Sequence, residues 1–337
     1  MKPKTAAVIF LVLIILINGC AKEAQKGGSE QRSAETPEET APAALKGVSL
    51  SPKSFRPDDF IGFFAKAKEA GNALLWAGDW GELADTQEGA PTVVSALAGN
   101  YNLLPVIEAQ FFTQSTGRLL RPLDDETKKA YLGSAAAFAE KFKPQYMGFG
   151  IEVNMLYEKS PDDFEEFAKL FSEVHDAVKA VSPETKVFTV FQLEKMKGMG
   201  GGLFGGRNDA SKSQWGLLEK FPKADLAAFT TYPGLVYKSP SEIPADYYSA
   251  IKQHTSKDIA FTEIGWHSAS SPIGWESNNG EQDEFVKRFF ELTKGMGSKI
   301  TIWSFLYDPD TIEPFNSMGL YSRGGGKKPA FDAWVSG

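Results

Sequence analysis

Eight short apolar runs, rich in β-branched and aromatic residues, alternate along this chain with stretches of helical spacing, and no other feature restricts its fold so strongly. The strand-like runs are 47–51, 73–80, 102–109, 146–154, 186–192, 226–232, 259–266 and 300–307. Between them the pattern turns helical. Pro57 opens one stretch carrying Phe60, Phe63, Phe64 and Ala67, and 124–142 carries Tyr131, Leu132, Ala135 and Phe138 at helical spacing. Ser160 with Pro161 caps and starts a long helix to about Val181. Further helices are expected at 92–98, 214–221, 242–254, 281–296 and 329–335. Eight such pairs predict an α/β fold, a (β/α)₈ TIM barrel, over residues 46–337. A doubly wound open sheet is the alternative, and it would not be expected to give so even a series of pairs.

The first 45 residues stand outside this rhythm. Met-Lys-Pro-Lys, an apolar run from Ala6 to Ile17 and then Asn18-Gly19-Cys20 read as a secretory signal over residues 1–20, too short for a membrane-spanning helix. Ile17-Asn18-Gly19-Cys20 resembles a lipobox, which implies that Cys20 is the lipidated residue and the protein an extracytoplasmic lipoprotein anchored in the cell envelope. Residues 21–45 are rich in Glu, Ala, Gly, Ser, Thr and Pro without an aromatic, the composition of a disordered tether.

Composition removes several function classes. Lys plus Arg total 36 against 43 Asp plus Glu, a net charge of −7, with no basic run to track a nucleic acid. One cysteine permits no intrachain disulfide and no cysteine-based metal site, and three scattered histidines are too few for a zinc cluster, so no metal and no cofactor are expected. A Schiff-base lysine would have to stand near the barrel mouth, whereas Lys186 and Lys299 fall at strand starts.

A barrel of this type carries its chemistry at the C-terminal ends of its strands. Those ends present Asp79 and Trp80, Glu108 and Gln110, Glu152 and Asn154, Gln192 and Glu194, Tyr232, Glu263 and Trp266, then Trp303, Tyr307 and Asp308. Carboxylates, amides and aromatics on one face suit a sugar-binding cleft. Polar strand ends are ordinary where chains reach solvent, but Glu152 and Glu263 are each followed by further apolar residues. His267, next to Trp266, is a further candidate for the cleft wall. Glycosidic cleavage needs two carboxyl groups, one protonated and one ionised, about 5–5.5 Å apart for retention of configuration.

These residues resemble the retaining glycoside hydrolases of clan A. Phe261-Thr262-Glu263-Ile264-Gly265-Trp266 is similar to that family's nucleophile segment on strand seven, and 146–154 stands where it places the acid/base on strand four. The resemblance implies Glu263 as nucleophile, Glu152 as acid/base, Tyr232 in Thr230-Thr231-Tyr232-Pro233 as the contact that holds Glu263 ionised, and Trp303 as a sugar floor with Trp266 beside it. Asn154, Asp79, Trp80 and Glu108 complete the expected substrate contacts. Arabinogalactan endo-β-1,4-galactanases look like the nearest relatives, and the similarity extends over nearly all of 46–337. The chain departs from the pattern at Ile151, where the family has Asn, and has Asp79 and Glu108 where many members carry Arg and His. The expected function is therefore β-glycoside hydrolysis of a poly- or oligosaccharide, with non-catalytic glycan binding on the same scaffold as the alternative.

Two other motifs read as loops. Gly200-Gly201-Gly202-Leu203-Phe204-Gly205 matches a dinucleotide fingerprint formally but joins no strand tightly to a helix, and is expected to cover the barrel mouth. Arg323-Gly324-Gly325-Gly326-Lys327-Lys328 reads as an exposed basic turn.

Overall fold

A computed structural model describes residues 44–337. The expected signal, its Cys20 and almost the whole tether lie outside the described residues, and the last tether residue, Leu45, already belongs to the first strand. Eight parallel strands form the barrel: β1 (Leu45–Ser49), β2 (Ala73–Asp79), β3 (Leu104–Gln110), β4 (Tyr146–Phe149), β5 (Lys186–Phe188 and Val190–Gln192), β6 (Leu226–Thr231), β7 (Asp258–Ile264) and β8 (Ile300–Trp303). The last returns to the first, with Leu45 opposite Ile300 and Val48 opposite Trp303. β5 is interrupted at Thr189, so its first half pairs with β4 and its second with β6. Gly150 O bridges the break, accepting from Thr189 Oγ1 at 3.2 Å and from Val190 N–H at 3.1 Å.

Alternation along each strand divides the apolar residues into two shells. Leu45, Leu75, Val106, Phe188, Ala228 and Ile302 fill the barrel. Their neighbours Val48, Leu74, Ile107, Val187, Phe229 and Trp303 face the surrounding helices. Those helices are α1 (Pro57–Ala70), α2 (Ala90–Asn100), α3 (Asp125–Phe142), α4 (Val153–Lys159), α5 (Pro161–Val181), α6 (Asn279–Thr293) and α7 (Pro329–Ser336). Their starts follow local chemistry: Asp124 accepts from Thr127 N–H at 2.9 Å, Asn278 accepts from Gly280 and Glu281, and proline stands in the first turn of α1, α2, α5 and α7. The barrel is also fastened outside. Trp334 Nε1 donates to Ala70 O at 2.9 Å, and the Lys46 ammonium donates to Trp334 O at 3.0 Å and Val335 O at 3.1 Å, carbonyls that the end of α7 leaves without helical partners.

Three expectations change. The 214–221 and 242–254 helices form only 3₁₀ turns, Trp215–Lys220, Pro240–Glu242 and Ser249–Gln253. Pro222 closes the first stretch and Pro244 interrupts the second by removing a backbone donor. The fourth run stops as a strand at Phe149: Gly150 at φ 79° and Glu152 at φ 58° turn the chain, and Asn154 is helical.

Candidate active site

Glu263 reaches the barrel mouth through a β-bulge. Phe261 pairs with Phe229, yet the next pair is Glu263 with Thr230, so two steps on β7 oppose one on β6. The extra residue lets Phe261 and Ile264 both face the helices while Glu263 faces inward. Tyr232 OH donates to Glu263 Oε2 at 2.5 Å and lies 2.8 Å from Ser304 Oγ. The tyrosine is itself held, because Glu194 Oε1 accepts its backbone N–H at 2.9 Å together with Thr231 Oγ1 and Tyr247 OH. Burial, then the Glu263 charge, push the Tyr232 phenol well above the tyrosine range, so it stays a donor.

Glu152 is buried at the start of α4, in a left-handed conformation that a glutamate adopts only under constraint. The constraint is visible. Gln110 Nε2 donates to Ile151 O at 3.0 Å and its Oε1 accepts Ile151 N–H at 3.3 Å, clamping the preceding peptide. Thr230 Oγ1 then donates to Glu152 Oε1 at 2.7 Å, and Gln192 Nε2 donates to the same oxygen at 3.3 Å. Thr230 is also the strand partner of Glu263, so one residue connects the two carboxyl groups.

Their charges are unequal. Burial pushes Glu263 up to about 7, opposed by the Tyr232 hydrogen bond. Burial and then the Glu263 charge raise Glu152 to about 8. Glu108, wholly buried on β3, is held well above the carboxylate range by burial and then by Glu263, opposed by the Thr262 hydroxyl. Gly148 makes room for it, since a Cβ there would stand 3.0 Å from Glu108 Cγ. The three carboxyls therefore share few charges at neutral pH, and Glu263 is the one that ionises most readily.

Other expected contacts are placed elsewhere. Trp303 faces the helices, with Nε1 donating to Met318 O at 2.8 Å, because the adjacent Ser304 takes the inward position. Trp266 is sealed against Phe285 and donates to Ser277 Oγ at 3.1 Å, and Trp80 stacks on Tyr131 at 4.5 Å. All three indoles are fully buried, which corrects the expectation that they contact sugar. Asp79 is bound by Arg121 through two hydrogen bonds of 2.6 and 2.9 Å and also caps Gly81 N–H. Asn154 donates to Gln192 O and Gln214 Oε1, both at 3.0 Å, and accepts Gln192 N–H at 2.9 Å, leaving its amide to fasten α4 to β5. Glu108 lies within the barrel, and His267 is buried with Nε2 donating to Trp275 O at 2.7 Å.

A cleft of about 590 Å³ opens over Glu263. Its wall includes Ile151, Ser304, Phe305, Phe315, Glu82 and Gln114, and its rim includes Phe55, Lys53 and Arg323. Phe305 and Phe55 supply the flat apolar surface that the tryptophans do not. Strand counting misses Phe55, which lies on a loop, and misreads Phe305, because β8 ends at Trp303 rather than running through the expected 300–307. Glu82, half-buried on the turn after β2, is raised to about 7 by burial and then by Asp79. Leu203 and Phe204 of the glycine-rich segment pack on Tyr232, Leu235, Phe315 and Met318, so this loop is folded over the mouth rather than joined to a nucleotide-binding helix.

No family model matches the chain and no curated protein matches its sequence. Solved structures match its fold. A family 39 glycoside hydrolase from the gut symbiont Bacteroides cellulosilyticus WH2 superposes with a TM-score of 0.60 at 15% identity, over 86% of this chain and 62% of that one. The exo-β-1,4-mannosidase Op5Man5 from Opitutaceae bacterium strain TAV5 gives 0.60 at 13%, over 86% and 58%. A GH5_18 structure from Streptomyces cattleya, in complex with Manβ1-4GlcNAc, gives 0.63 at 15%, over 87% and 80%. The chain spans about three fifths of the length of the first two. At these identities the likeness is one of fold: this chain is a (β/α)₈ barrel similar to those of the glycoside hydrolases.

Proposed function

We propose that this protein is a glycoside hydrolase that cleaves β-glycosidic bonds in a poly- or oligosaccharide with retention of configuration. The observation that carries the reading is the bulge that presents Glu263 to the cleft, tied to Tyr232 on one side and linked through Thr230 to Glu152 on the other. In the first step the ionised Glu263 attacks the anomeric carbon, the bond to the leaving oxygen breaks, and the Glu152 proton passes to that oxygen. In the second, Glu152 takes a proton from water, the water oxygen bonds to the anomeric carbon, and Glu263 departs as carboxylate. Glu152 at about 8 and Glu263 at about 7 have the order this division requires. The neighbours named for β-linked mannosides favour a β-linked substrate.

One observation favours non-catalytic glycan binding as the second reading. Ile151 lines the cleft, whereas Glu152 is 2% exposed with one oxygen engaged by Thr230 and Gln192. A screen of aryl β-glycosides and β-linked polysaccharides separates the two. Hydrolysis is expected, with Glu263→Gln lowering kcat on the order of 10³-fold or more; binding without turnover supports the second reading, and turnover indifferent to the substitution rules out the mechanism. The proposal extends to a lipid anchor at Cys20, supported by the lipobox-like Ile17-Asn18-Gly19-Cys20. Cys20→Ala should then move the protein from the membrane to the soluble fraction, and retention in the membrane would remove the anchor from the reading.

A further inference from the structure

The cleft rim carries a lysine seated with unusual closeness. Lys53, half-buried in the segment after β1, holds its ammonium 5.1 Å from the Tyr307 ring centroid. Its other neighbour is Gly325 in the basic turn. A Cβ at Gly325 would stand 2.5 Å from Lys53 Nζ and 3.0 Å from Cε, and this glycine has φ 90°. The turn is fixed by Gly325 N–H donating to Ser322 O at 2.8 Å and Gly326 N–H donating to Ser322 Oγ at 3.0 Å. The φ of 90° favours glycine, and the ammonium occupies the space that a Cβ there would take. The lysine is therefore docked, yet among the described residues no carboxylate forms an ion pair with it. Arg323, from the same turn, lines the same cleft, and its partner Asp310 is 84% exposed at 3.0 Å. A carboxylate thus already rests on this guanidinium in a position open to exchange. Glu82 and Glu263, the other acids of the cleft, are both raised to about 7.

We propose that Lys53 and Arg323 form a cationic subsite that receives the sugar carboxylate of an acidic β-linked glycan. The proposal names a substrate class for the cleft and rests on the glycosidase reading. A carboxylate there gains charge-assisted hydrogen bonds from the ammonium and the planar guanidinium, and because Arg323 is 52% exposed that gain is screened by salt. A neutral sugar gains neither.

The test is calorimetric titration of the full chain carrying Glu263→Gln with two matched pairs, cellotetraose against β-1,4-glucuronan tetrasaccharide and mannotetraose against β-1,4-mannuronan tetrasaccharide. In at least one pair the acidic sugar should bind about tenfold or more tightly at low salt, and the margin should shrink as salt rises. Lys53→Gln, Arg323→Gln and Gly325→Ala should each remove most of that margin, while Lys252→Gln on the far surface should not. Equal or tighter binding of the neutral member in both pairs, or no binding by any of the four, overturns the proposal. So does a preference for 6-sulfated cellotetraose over the uronates, which would assign the subsite to sulfate. Retained acidic preference in a protein that hydrolyses nothing would overturn the glycosidase reading alone, and hydrolysis without the preference would overturn the subsite alone.

Discussion

Glu263 and Glu152 occupy one low-dielectric environment but receive different support within it. Glu263 faces the cleft and accepts from a phenol whose own proton is held firmly, whereas Glu152 lies in a pocket of amide and hydroxyl donors beside a second carboxyl. Desolvation raises both, and the Glu263 charge raises Glu152 further. The pH dependence follows from the signs. In the proposed mechanism, Glu263 gains a proton below about 7 and can no longer attack, and Glu152 loses above about 8 the proton it is to donate. Hydrolysis should trace a narrow bell with its maximum between these limbs, the two values belonging to the coupled pair. A profile flat from pH 5 to 9 would contradict the assignment. In Glu152→Gln the alkaline limb should disappear together with most of the activity on poor leaving groups.

The connection between β4 and α4 shows how an element can decide a residue's role. Its strand-like run continues in sequence to Asn154, but Gly150 and Glu152 take left-handed conformations and start a helix. That turn places Asn154 against Gln192 and Gln214, and three hydrogen bonds, the two to Gln192 buried, absorb its amide. Asn154→Ala should therefore destabilise the fold by about 2–4 kcal/mol, from unpaired groups at the end of β5, while changing KM little. Chemical denaturation and steady-state kinetics on the variant check both halves. A large rise in KM at unchanged stability would return Asn154 to the substrate. The bulge in β7 acts in the opposite sense, turning an acidic residue inward where uninterrupted alternation from Phe261 would have turned it toward the helices.

Closing the barrel concentrates carboxyl groups that form no salt bridge among the described residues, the nearest cation acting on them being Lys197 beside Glu194. Glu108, Glu152, Glu194 and Glu263 all have raised values, in each case chiefly through burial. In the unfolded chain they titrate near the ordinary 4.5, so between that pH and about 8 the folded state binds more protons than the unfolded one. Stability must then fall as pH rises across this window. Thermal unfolding should give a higher Tm at pH 5.5 than at pH 8.5, and Glu108→Gln should flatten the dependence. A Tm that climbs over the same interval would mean that the carboxyls are not buried as described.

The alternation of eight strand-like and helix-like segments was legible because periodicities of 2 and 3.6 are local properties of the chain, and they imply the barrel once each apolar face must be covered. Glu263 stood out because apolar residues continue after it in its run, and Tyr232 because Thr230-Thr231-Tyr232-Pro233 resembles the strand-six segment of the clan A hydrolases. Local pattern could not tell which side of the barrel wall Trp303, Trp266 and Trp80 face, since one-residue changes in parity and length past the strand ends reverse that answer. Nor could it find Glu82 or Lys53 in the cleft, because they stand on loops whose paths are set by packing, or place Phe305 there, because β8 ends at Trp303 short of the expected run. The seat of Lys53 on Gly325 joins residues 272 positions apart, a contact made only when β8 closes on β1. Local sequence thus chose the architecture and its leading carboxylate. Tertiary packing chose which neighbouring groups surround that carboxylate and which are used up in holding the barrel together, because burial and hydrogen-bond partners come from distant segments.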